Sequence, residues 1–166
     1  FIDPLTAVGI GMVVASVLFM KRASDLAEGS YVAMDAAAEE SPWADEASLP
    51  ENIKHQICIE RFHGPIFFGS ITGFNKVMHQ VPDNAKVVIL RMKRVKFMDQ
   101  SGVYAMETAV KELQERGIIV LMTIIQPQPE YLLRKMDFIP DVIKPEYTFK
   151  TFEDCTEFLK KLDVFK

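Results

Sequence analysis

The stretch Phe97-Met98-Asp99-Gln100-Ser101-Gly102 decides the fold, because it joins a strand pattern to a helix pattern. The apolar run Val87-Val88-Ile89-Leu90 lies before it and is typical of a buried strand. Apolar residues recur after it at helical spacing, at Val103, Met106, Val110 and Leu113. This order places the Ser101 hydroxyl and unpaired backbone N–H groups at a helix N-terminus, where an anion is stabilised. The sequence therefore predicts a site for a phosphate or a polar partner.

The rest of the region from Glu51 onward alternates short apolar runs with amphipathic ones, as expected for an α/β or α+β sheet domain. Strands are predicted at 55–62, 65–68, 86–92 and 118–125, with a short one near 142–143. Helices are predicted at 70–80, 102–116, 128–136 and 151–162. His63-Gly64 separates the first two strands and predicts a hairpin turn.

Residues 1–22 have the pattern of a membrane helix. The first 20 are nearly all apolar, with Asp3 as the single charge, and Lys21-Arg22 follows them. Twenty helical residues reach about 30 Å, the thickness of the hydrocarbon core. The basic pair follows the apolar run, the reverse of a secretory signal peptide, so we expect the last membrane helix of a longer chain. The same pair predicts that the following residues are cytoplasmic.

Residues 23–50 are predicted to be an acidic linker before a domain at 51–166. The linker has seven acidic residues and no Lys or Arg, so its own charge of -7 is larger than the chain's net charge of -4 and the rest of the chain is slightly basic. Such a segment buries too little apolar surface to fold alone, although Ala36-Ala37-Ala38 favours a helical turn when a neighbour supports it. Trp43, the single tryptophan, either docks on a neighbouring surface or is an exposed linker aromatic.

No catalytic, metal or cofactor site is predicted. Cys58 and Cys155 are far apart and lack the spacing of zinc ligands, and they are interpreted as two lone buried thiols. The three histidines have no Ser or Cys partner at a recognisable spacing for a hydrolytic triad. No glycine-rich phosphate loop is present in the sequence. The domain has no strongly basic composition, so nucleic-acid binding is not expected.

Four basic residues, Arg91, Lys93, Arg94 and Lys96, precede the Ser101 turn. They could contact an acidic partner, face anionic lipid headgroups or form a solvated strand edge. Within the turn, either Asp99 or Ser101 is suited to cap the helix. Ser101 is also a candidate phosphoacceptor or partner contact, and these roles can coexist.

Two motifs carry a resemblance to a known family. The run Arg61-Phe62-His63-Gly64-Pro65-Ile66-Phe67-Phe68-Gly69, followed by the turn from Phe97 to Gly102, resembles the STAS domain of SulP anion transporters. Asp3-Pro4-Leu5-Thr6-Ala7-Val8-Gly9-Ile10-Gly11, ending in Met20-Lys21-Arg22, is similar to the last transmembrane helix of that family. The Asp-x-Ser-Gly turn is shared with bacterial anti-sigma-factor antagonists.

The resemblance implies a mixed β-sheet with helices mainly on one face, below a membrane domain that transports sulfate, bicarbonate or dicarboxylate anions. It implies a non-enzymatic regulatory or interaction domain on the cytoplasmic side of the cell inner membrane. The partners it implies are the membrane domain of the same chain, a second copy or a cytoplasmic protein. In the antagonist branch the second hydroxyl residue of an Asp-Ser-Ser-Gly turn is phosphorylated; Ser101 holds that position here, and Gln100 replaces the first serine. The alternative function is a soluble partner-switching antagonist, but a soluble protein of that kind would not need the apolar segment 1–20.

Overall fold

The computed structural model describes residues 3–36 and 43–162. Its α-helices are α1 (Pro4–Ala36), α2 (Glu51–Lys54), α3 (Ile71–His79), α4 (Gln100–Glu115), α5 (Pro127–Lys135), α6 (Phe138–Asp141) and α7 (Phe152–Leu159). Its strands are β1 (Ile57–His63), β2 (Val87–Arg94), β3 (Ile119–Thr123) and β4 (Thr148–Phe149). Short 3₁₀ helices occupy Ala44–Ser48, Phe68–Ser70 and Pro145–Tyr147. The predicted α/β class is confirmed, and the main helices and central strands lie where the patterns predict them.

The strands form one sheet in the order β1-β2-β3-β4. Every pairing between these strands is parallel, so the expected mixed sheet is a parallel one within the described residues. The central strand β2 is covered on both faces, which explains its continuous apolar run. Its first six residues are buried and only the last two are exposed.

Two apolar clusters cover the two faces of the sheet. Alternate residues of β2 divide between them: Val88 and Leu90 belong to one cluster, Val87 and Ile89 to the other. The first cluster takes buried residues from α3, α4, α5 and α6, and the second takes them from α2 and α7. The helices therefore lie mainly on one face, as expected.

Two predicted strands are wrong. The hairpin at His63-Gly64 does not form: Gly64 turns the chain with a φ of +85°, but β1 pairs with β2 instead of with residues 65–68. Within 65–68, Ile66 makes a single parallel bridge to Met98. The short strand near 142–143 is also absent; Ile143 is an apolar core residue, and the last strand of the sheet is β4.

Helix α1 has 33 residues and continues well past Lys21-Arg22. Its segment Pro4–Arg22 is long and apolar enough to cross a membrane, with a mean hydropathy of 1.7 and no residue of that window buried. Cα atoms of α1 come close to those of Phe68–Ser70, α3 and β1. The predicted linker therefore contains helix as far as Ala36, while residues 37–42 lie outside the described part of the chain.

The end of the predicted linker packs on the sheet. Leu49 is 5% exposed and belongs to the cluster on the α7 face, and Glu46 is also buried. Trp43 is half-buried. Substitutions at Glu46 or Leu49 should therefore lower the stability of the domain, because both side chains are packed against it.

Candidate functional site

The predicted turn lies where β2 ends and α4 begins, at the carboxyl edge of the parallel strands. This edge is where ligands bind in open α/β sheets. Asp99 occupies the N-cap position of α4, and its Oδ1 accepts a hydrogen bond from the Gly102 N–H at 2.8 Å. Of the two capping residues that the sequence allows, Asp99 is the one that caps the helix. Ser101 follows in the first helical turn and is half-buried.

The loop after β1 is fastened to this turn by backbone hydrogen bonds. Ile66 N–H donates to the Phe97 carbonyl at 3.0 Å, and Asp99 N–H donates to the Ile66 carbonyl at 3.2 Å. The second carboxylate oxygen of Asp99 accepts from the Phe68 N–H at 3.2 Å. Asp99 therefore caps α4 and holds the 3₁₀ helix of Phe68–Ser70 beside it.

Gly102 is required by this close crossing. A Cβ atom at position 102 would lie 2.5 Å from the Ile66 carbonyl oxygen, a distance that backbone atoms cannot tolerate without moving. The glycine of the Asp-x-Ser-Gly motif thus allows the loop to lie against α4. The sequence motif predicts the turn itself. It does not predict the contact with Ile66, because that residue lies 36 positions before Gly102 and nothing in the motif indicates the pairing.

Gln128 connects α5 to the same turn. Its side-chain oxygen accepts from the Met98 N–H and its Nε2 donates to the Met98 carbonyl, both at 2.9 Å. This two-way pairing satisfies backbone groups that no strand partner occupies. Sequence reasoning missed Gln128, because a glutamine at the start of a predicted helix gives no sign of a distant backbone partner.

Three exposed aromatic residues belong to the segments that meet at the Asp99 turn. In the described chain beyond α1, the large hydrophobic side chains that stay exposed are Phe68, Phe97, Tyr104 and Tyr131. Phe68 and Phe97 belong to the two loops that meet at Asp99, and Tyr104 lies one helical turn after Ser101. Ser101 and Tyr104 line one shallow groove between α3 and α4, together with Ile71, Asn75, Ala105 and Thr108. A polar residue at a helix start, bordered by exposed rings, is suited to contact another protein.

The four basic residues before the turn do not share one environment. Lys93 and Lys96 are exposed, as a contact surface requires. Arg94 is exposed too, but its Nη1 lies 2.7 Å from His63 Nδ1 and its guanidinium lies 4.8 Å from the centroid of the Trp43 ring. Arg91 is fully buried, and the interpretation of it as a partner or lipid contact is therefore wrong.

Arg91 pairs with the acidic end of the predicted linker. Its Nη1 donates to Asp45 Oδ1 at 2.9 Å and to Glu46 Oε1 at 2.8 Å. Glu46 also accepts from Arg61 Nε at 2.8 Å, and a second Arg61 nitrogen contacts its other oxygen. The guanidinium of Arg91 lies between two rings, 4.3 Å from the Trp43 centroid and 4.5 Å from the Phe152 centroid. Trp43 therefore docks, which resolves the two alternatives left by the sequence.

These contacts shift the acidity of both carboxyl groups. Hydrogen bonding to Arg91 lowers the pKa of Asp45 below its usual value, against the opposing effect of burial. For Glu46, burial alone would raise the pKa, but the hydrogen bonds and positive charges of Arg61 and Arg91 outweigh it and the net shift is downward. Both side chains are therefore held as carboxylates. The clustering of acids in the sequence was the only available signal of this arrangement.

The cysteines take no part in the site. Cys155 is buried and Cys58 is half-buried, and burial raises the pKa of both thiols. Cys58 donates to Glu60 Oε1 at 3.2 Å. Across residues 3–36 and 43–162, no group of three or more His, Cys, Asp or Glu side chains is arranged to hold a metal ion.

Comparison with known proteins gives the family. The family model of the STAS domain matches residues 49–155, which include the sheet, the Asp99 turn and the first half of α7. The chain belongs to the STAS domain family. Its STAS domain is 26% identical in sequence to a solved sulfate transporter family protein from Wolinella succinogenes, with a TM-score of 0.58 over 68% of this chain and 88% of that one.

Two further relatives connect this STAS domain with SulP transporters. The solved SulP transporter STAS domain from Vibrio cholerae is 25% identical, with a TM-score of 0.55 over 68% of this chain and 85% of that one. The bicarbonate transporter BicA of Synechocystis is 23% identical over 84% of this chain and 25% of its own length. The chain spans about a quarter of the length of the curated relatives it matches. The resemblance to SulP STAS domains is thus confirmed.

Proposed function

We propose that residues 51–166 are the cytoplasmic regulatory and interaction domain of a SulP-like secondary anion transporter, and that residues 1–22 are the last helix of its membrane domain. The observation that carries the proposal is the Ser101 turn, where a helix start fixed by Asp99 is bordered by the exposed rings of Phe68, Phe97 and Tyr104. Such a surface is suited to bind a partner, while the membrane domain transports the anion.

The family relationship supports the transport half of this proposal. The relatives are named as transporters of sulfate and of bicarbonate, so an inorganic or small organic anion is the substrate class we infer. Lys21 and Arg22 at the end of the apolar segment support a cytoplasmic position for the domain at the inner membrane. The membrane domain of the same chain is then its permanent partner, with a second copy or a cytoplasmic protein as additional ones.

A non-enzymatic role is supported by the side chains at the turn. His63 contacts Arg94 and Trp43, and the Ser101 groove is lined by amide, hydroxyl and apolar groups without a general base. Nucleophilic catalysis needs a base within hydrogen-bond reach of the hydroxyl. We therefore infer that Ser101 acts as a recognition or modification site.

The regulatory role of Ser101 follows from electrostatics. A phosphate there would add a charge of about -1.5 to -2 at the N-terminus of α4, which the helix favours, and beside the Asp99 carboxylate, which opposes it. The two effects offset each other in folding. A partner bound at Phe68 and Tyr104 would interact directly with the phosphate charge, and no second effect would offset that interaction. Phosphorylation should therefore change the affinity for the partner more than it changes the stability of the domain.

Substitutions at Ser101 in the complete transporter test this proposal. We expect Ser101→Ala to leave the melting temperature of the domain nearly unchanged, and Ser101→Glu to change anion uptake into proteoliposomes or the affinity of a co-purifying partner severalfold. Thr108 is the matched control, because it lines the same groove on α4 and donates to the Tyr104 carbonyl at 3.0 Å. Thr108→Glu should have a smaller effect. If uptake and all interactions are unchanged in both Ser101 variants, Ser101 has only a structural role.

A further inference from the structure

The two edges of the sheet differ in charge. The carboxyl edge consists of the last two residues of each strand and the loop that follows. It has four Lys or Arg residues and one acidic residue, namely Lys93, Arg94, Lys96, Lys150 and Asp99. The acidic one is engaged as the cap of α4. In the segments that precede the strands, at the opposite edge, basic and acidic residues nearly balance, and Arg116 pairs with Asp83 at 2.9 Å.

Two lysines of the carboxyl edge have no carboxylate partner. Lys93 and Lys96 are exposed, and within residues 3–36 and 43–162 neither forms an ion pair. Lys93 Nζ lies 5.8 Å from the Trp43 ring centroid, and its charge acts on Asp45 only from beyond ion-pair distance. Both ammonium groups are therefore available to an anion outside the domain.

The loop after β2 holds an exposed cation and an exposed ring side by side. Val95 and Met98 are buried and fix the loop at both ends, and the Phe97 carbonyl accepts from the Ile66 N–H at 3.0 Å. Between these fixed points Lys96 is exposed and Phe97 keeps 50% of its surface exposed. A ring with basic neighbours suits a membrane–water interface, where rings lie among the headgroups and lysines contact lipid phosphates.

Helix α1 lies beside this edge of the sheet. Its Cα atoms come close to those of Phe68–Ser70, in the loop that follows β1 at the carboxyl edge. Asp99 joins that loop to the loop after β2, because its carboxylate accepts from the Phe68 N–H at 3.2 Å. Since α1 ends at Ala36, the contact lies at most about 21 Å beyond Arg22 along the helix axis. The helix that is suited to span the membrane thus holds the basic edge on its own side of the domain.

We propose that Lys93, Lys96 and Phe97 form a lipid-docking surface that holds the STAS domain against anionic headgroups of the cytoplasmic leaflet. The inference rests on the proposed function, because it requires residues 1–22 to be a membrane helix and the domain to be cytoplasmic. Anionic headgroups attract basic segments over about one Debye length, about 8 Å at physiological salt. The ring adds apolar contact at the headgroup level.

Tethering by α1 makes a small surface of this kind sufficient. Two lysines and one ring would bind a membrane only weakly from solution, because stable attachment takes several signals. With α1 in the same bilayer, the surface meets headgroups at a high effective concentration, and a weak attraction is enough to orient the domain. A soluble acidic protein has no such advantage. Lipid is therefore the partner that this surface fits best.

Quenching of Trp43 measures how close the surface comes to the headgroups. Trp43 is the single tryptophan and its ring lies beside Lys93. The full chain is placed in nanodiscs of phosphatidylcholine, with or without about 30% phosphatidylglycerol, that contain a lipid with a nitroxide on its headgroup. We expect quenching to be about twofold stronger in the anionic discs at about 50 mM salt, and the difference to disappear at about 500 mM salt, where charges are screened.

Substitutions assign the effect to this surface. Lys93→Gln/Lys96→Gln should abolish the dependence on anionic lipid, and Phe97→Ser should reduce it. The matched control is Lys160→Gln/Lys161→Gln, which removes the same charge from exposed positions after the C-terminal end of α7, away from the carboxyl edge where that helix begins. The control should keep the wild-type dependence. All these side chains are exposed, and thermal melting verifies that each variant is folded.

Three results would overturn the proposal. Equal quenching in neutral and anionic discs would show that lipid charge does not hold this surface, and would leave an acidic protein as the partner of the two lysines. Loss of the lipid dependence in the Lys160→Gln/Lys161→Gln control as well would assign it to net charge. A chain that does not stay with the discs would contradict the membrane assignment of residues 1–22 itself, which separates failure of the proposed function from failure of the lipid contact.

Discussion

Arg91 is the residue that sequence patterns describe least well. It follows Val87 and Ile89 at alternate positions of β2, and so lies on the α7 face with them. A charge is tolerated there because Asp45 and Glu46 neutralise it and because the Trp43 and Phe152 rings cover its faces. Arginine suits the position, since its planar group can bind two carboxylates and stack on a ring at once.

Glu46 and Glu60 should respond oppositely to the same substitution. The folded-state pKa of Glu46 is lowered, so its contribution to stability is present above about pH 5 and is lost as the pH falls from the ordinary glutamate pKa through the lowered folded-state pKa. Burial raises the pKa of Glu60, so its ionisation reduces stability as the pH rises. We expect Glu46→Gln to destabilise the domain at pH 7 and Glu60→Gln to stabilise it.

Urea unfolding at pH 7 and pH 4 measures both effects. Each variant should approach the wild type at the lower pH, because the carboxyl groups are then largely protonated in the unfolded chain. Glu51→Gln, at an exposed position, supplies the control. Destabilisation by Glu60→Gln that is equal at both pH values would contradict the assignment of an unfavourable buried charge.

Gly102→Ala should destabilise the turn through a single added carbon. The new Cβ would lie 2.5 Å from the Ile66 carbonyl oxygen, so either α4 or the Ile66 loop must move. We expect a loss of about 1–3 kcal/mol in the free energy of unfolding, measured with denaturant. The neighbouring Ser101→Ala, which adds no atom, should cost much less. Equal effects from the two substitutions would mean that the close crossing is absent in solution.

At the scale of elements, Leu121→Ala tests the sheet core. Leu121 is fully buried in β3 and belongs to the cluster on the α7 face. Removing its side chain should cost about 2–5 kcal/mol through lost transfer energy and a cavity. Leu18→Ala is the same change on the exposed surface of α1 and should leave denaturant unfolding of the domain unaltered. A Leu121→Ala domain of wild-type stability would place β3 outside the core.

The elements that sequence predicts well are those with a local signal. The continuous apolar run of β2 and the helical spacing of α4 each identify their element, and Gly117, with a φ of +78°, lies just after the end of α4. The hairpin prediction failed because Gly64 specifies a turn but not the partner of the strand after it. Parallel pairing of β1 with β2 depends on contacts about 30 residues apart, which no local pattern encodes.

The candidate site also has parts that local sequence predicts and parts that depend on distant residues. The motif at Asp99 and Ser101 could be predicted, since capping is a local interaction. The pairing of Arg91 with Glu46 could not, because it joins residues 45 positions apart and requires knowing which face of β2 is covered. Gln128 likewise reaches the turn from α5, 30 residues away. The boundaries of the membrane segment, linker and domain stay predictions.

At the scale of the whole molecule, α1 should determine how the chain behaves in solution. Pro4–Arg22 is unburied and apolar, so we expect the full chain to require detergent or lipid. Removal of residues 1–22 should give a monodisperse domain without detergent. Size-exclusion chromatography with light scattering measures both preparations. A monodisperse full chain in plain buffer, with Pro4–Arg22 packed against the sheet, would contradict the membrane assignment.

The uninterrupted course of α1 has a mechanical consequence. Its 33 residues form a rod about 50 Å long, of which about 30 Å fits the bilayer and the remainder extends beyond it. A change of about 10° in the tilt of this rod about its membrane end displaces the other end by about 9 Å, which is larger than the spacing between neighbouring strands. A small rearrangement among membrane helices would therefore reach the sheet as an amplified movement, with α1 acting as a lever arm.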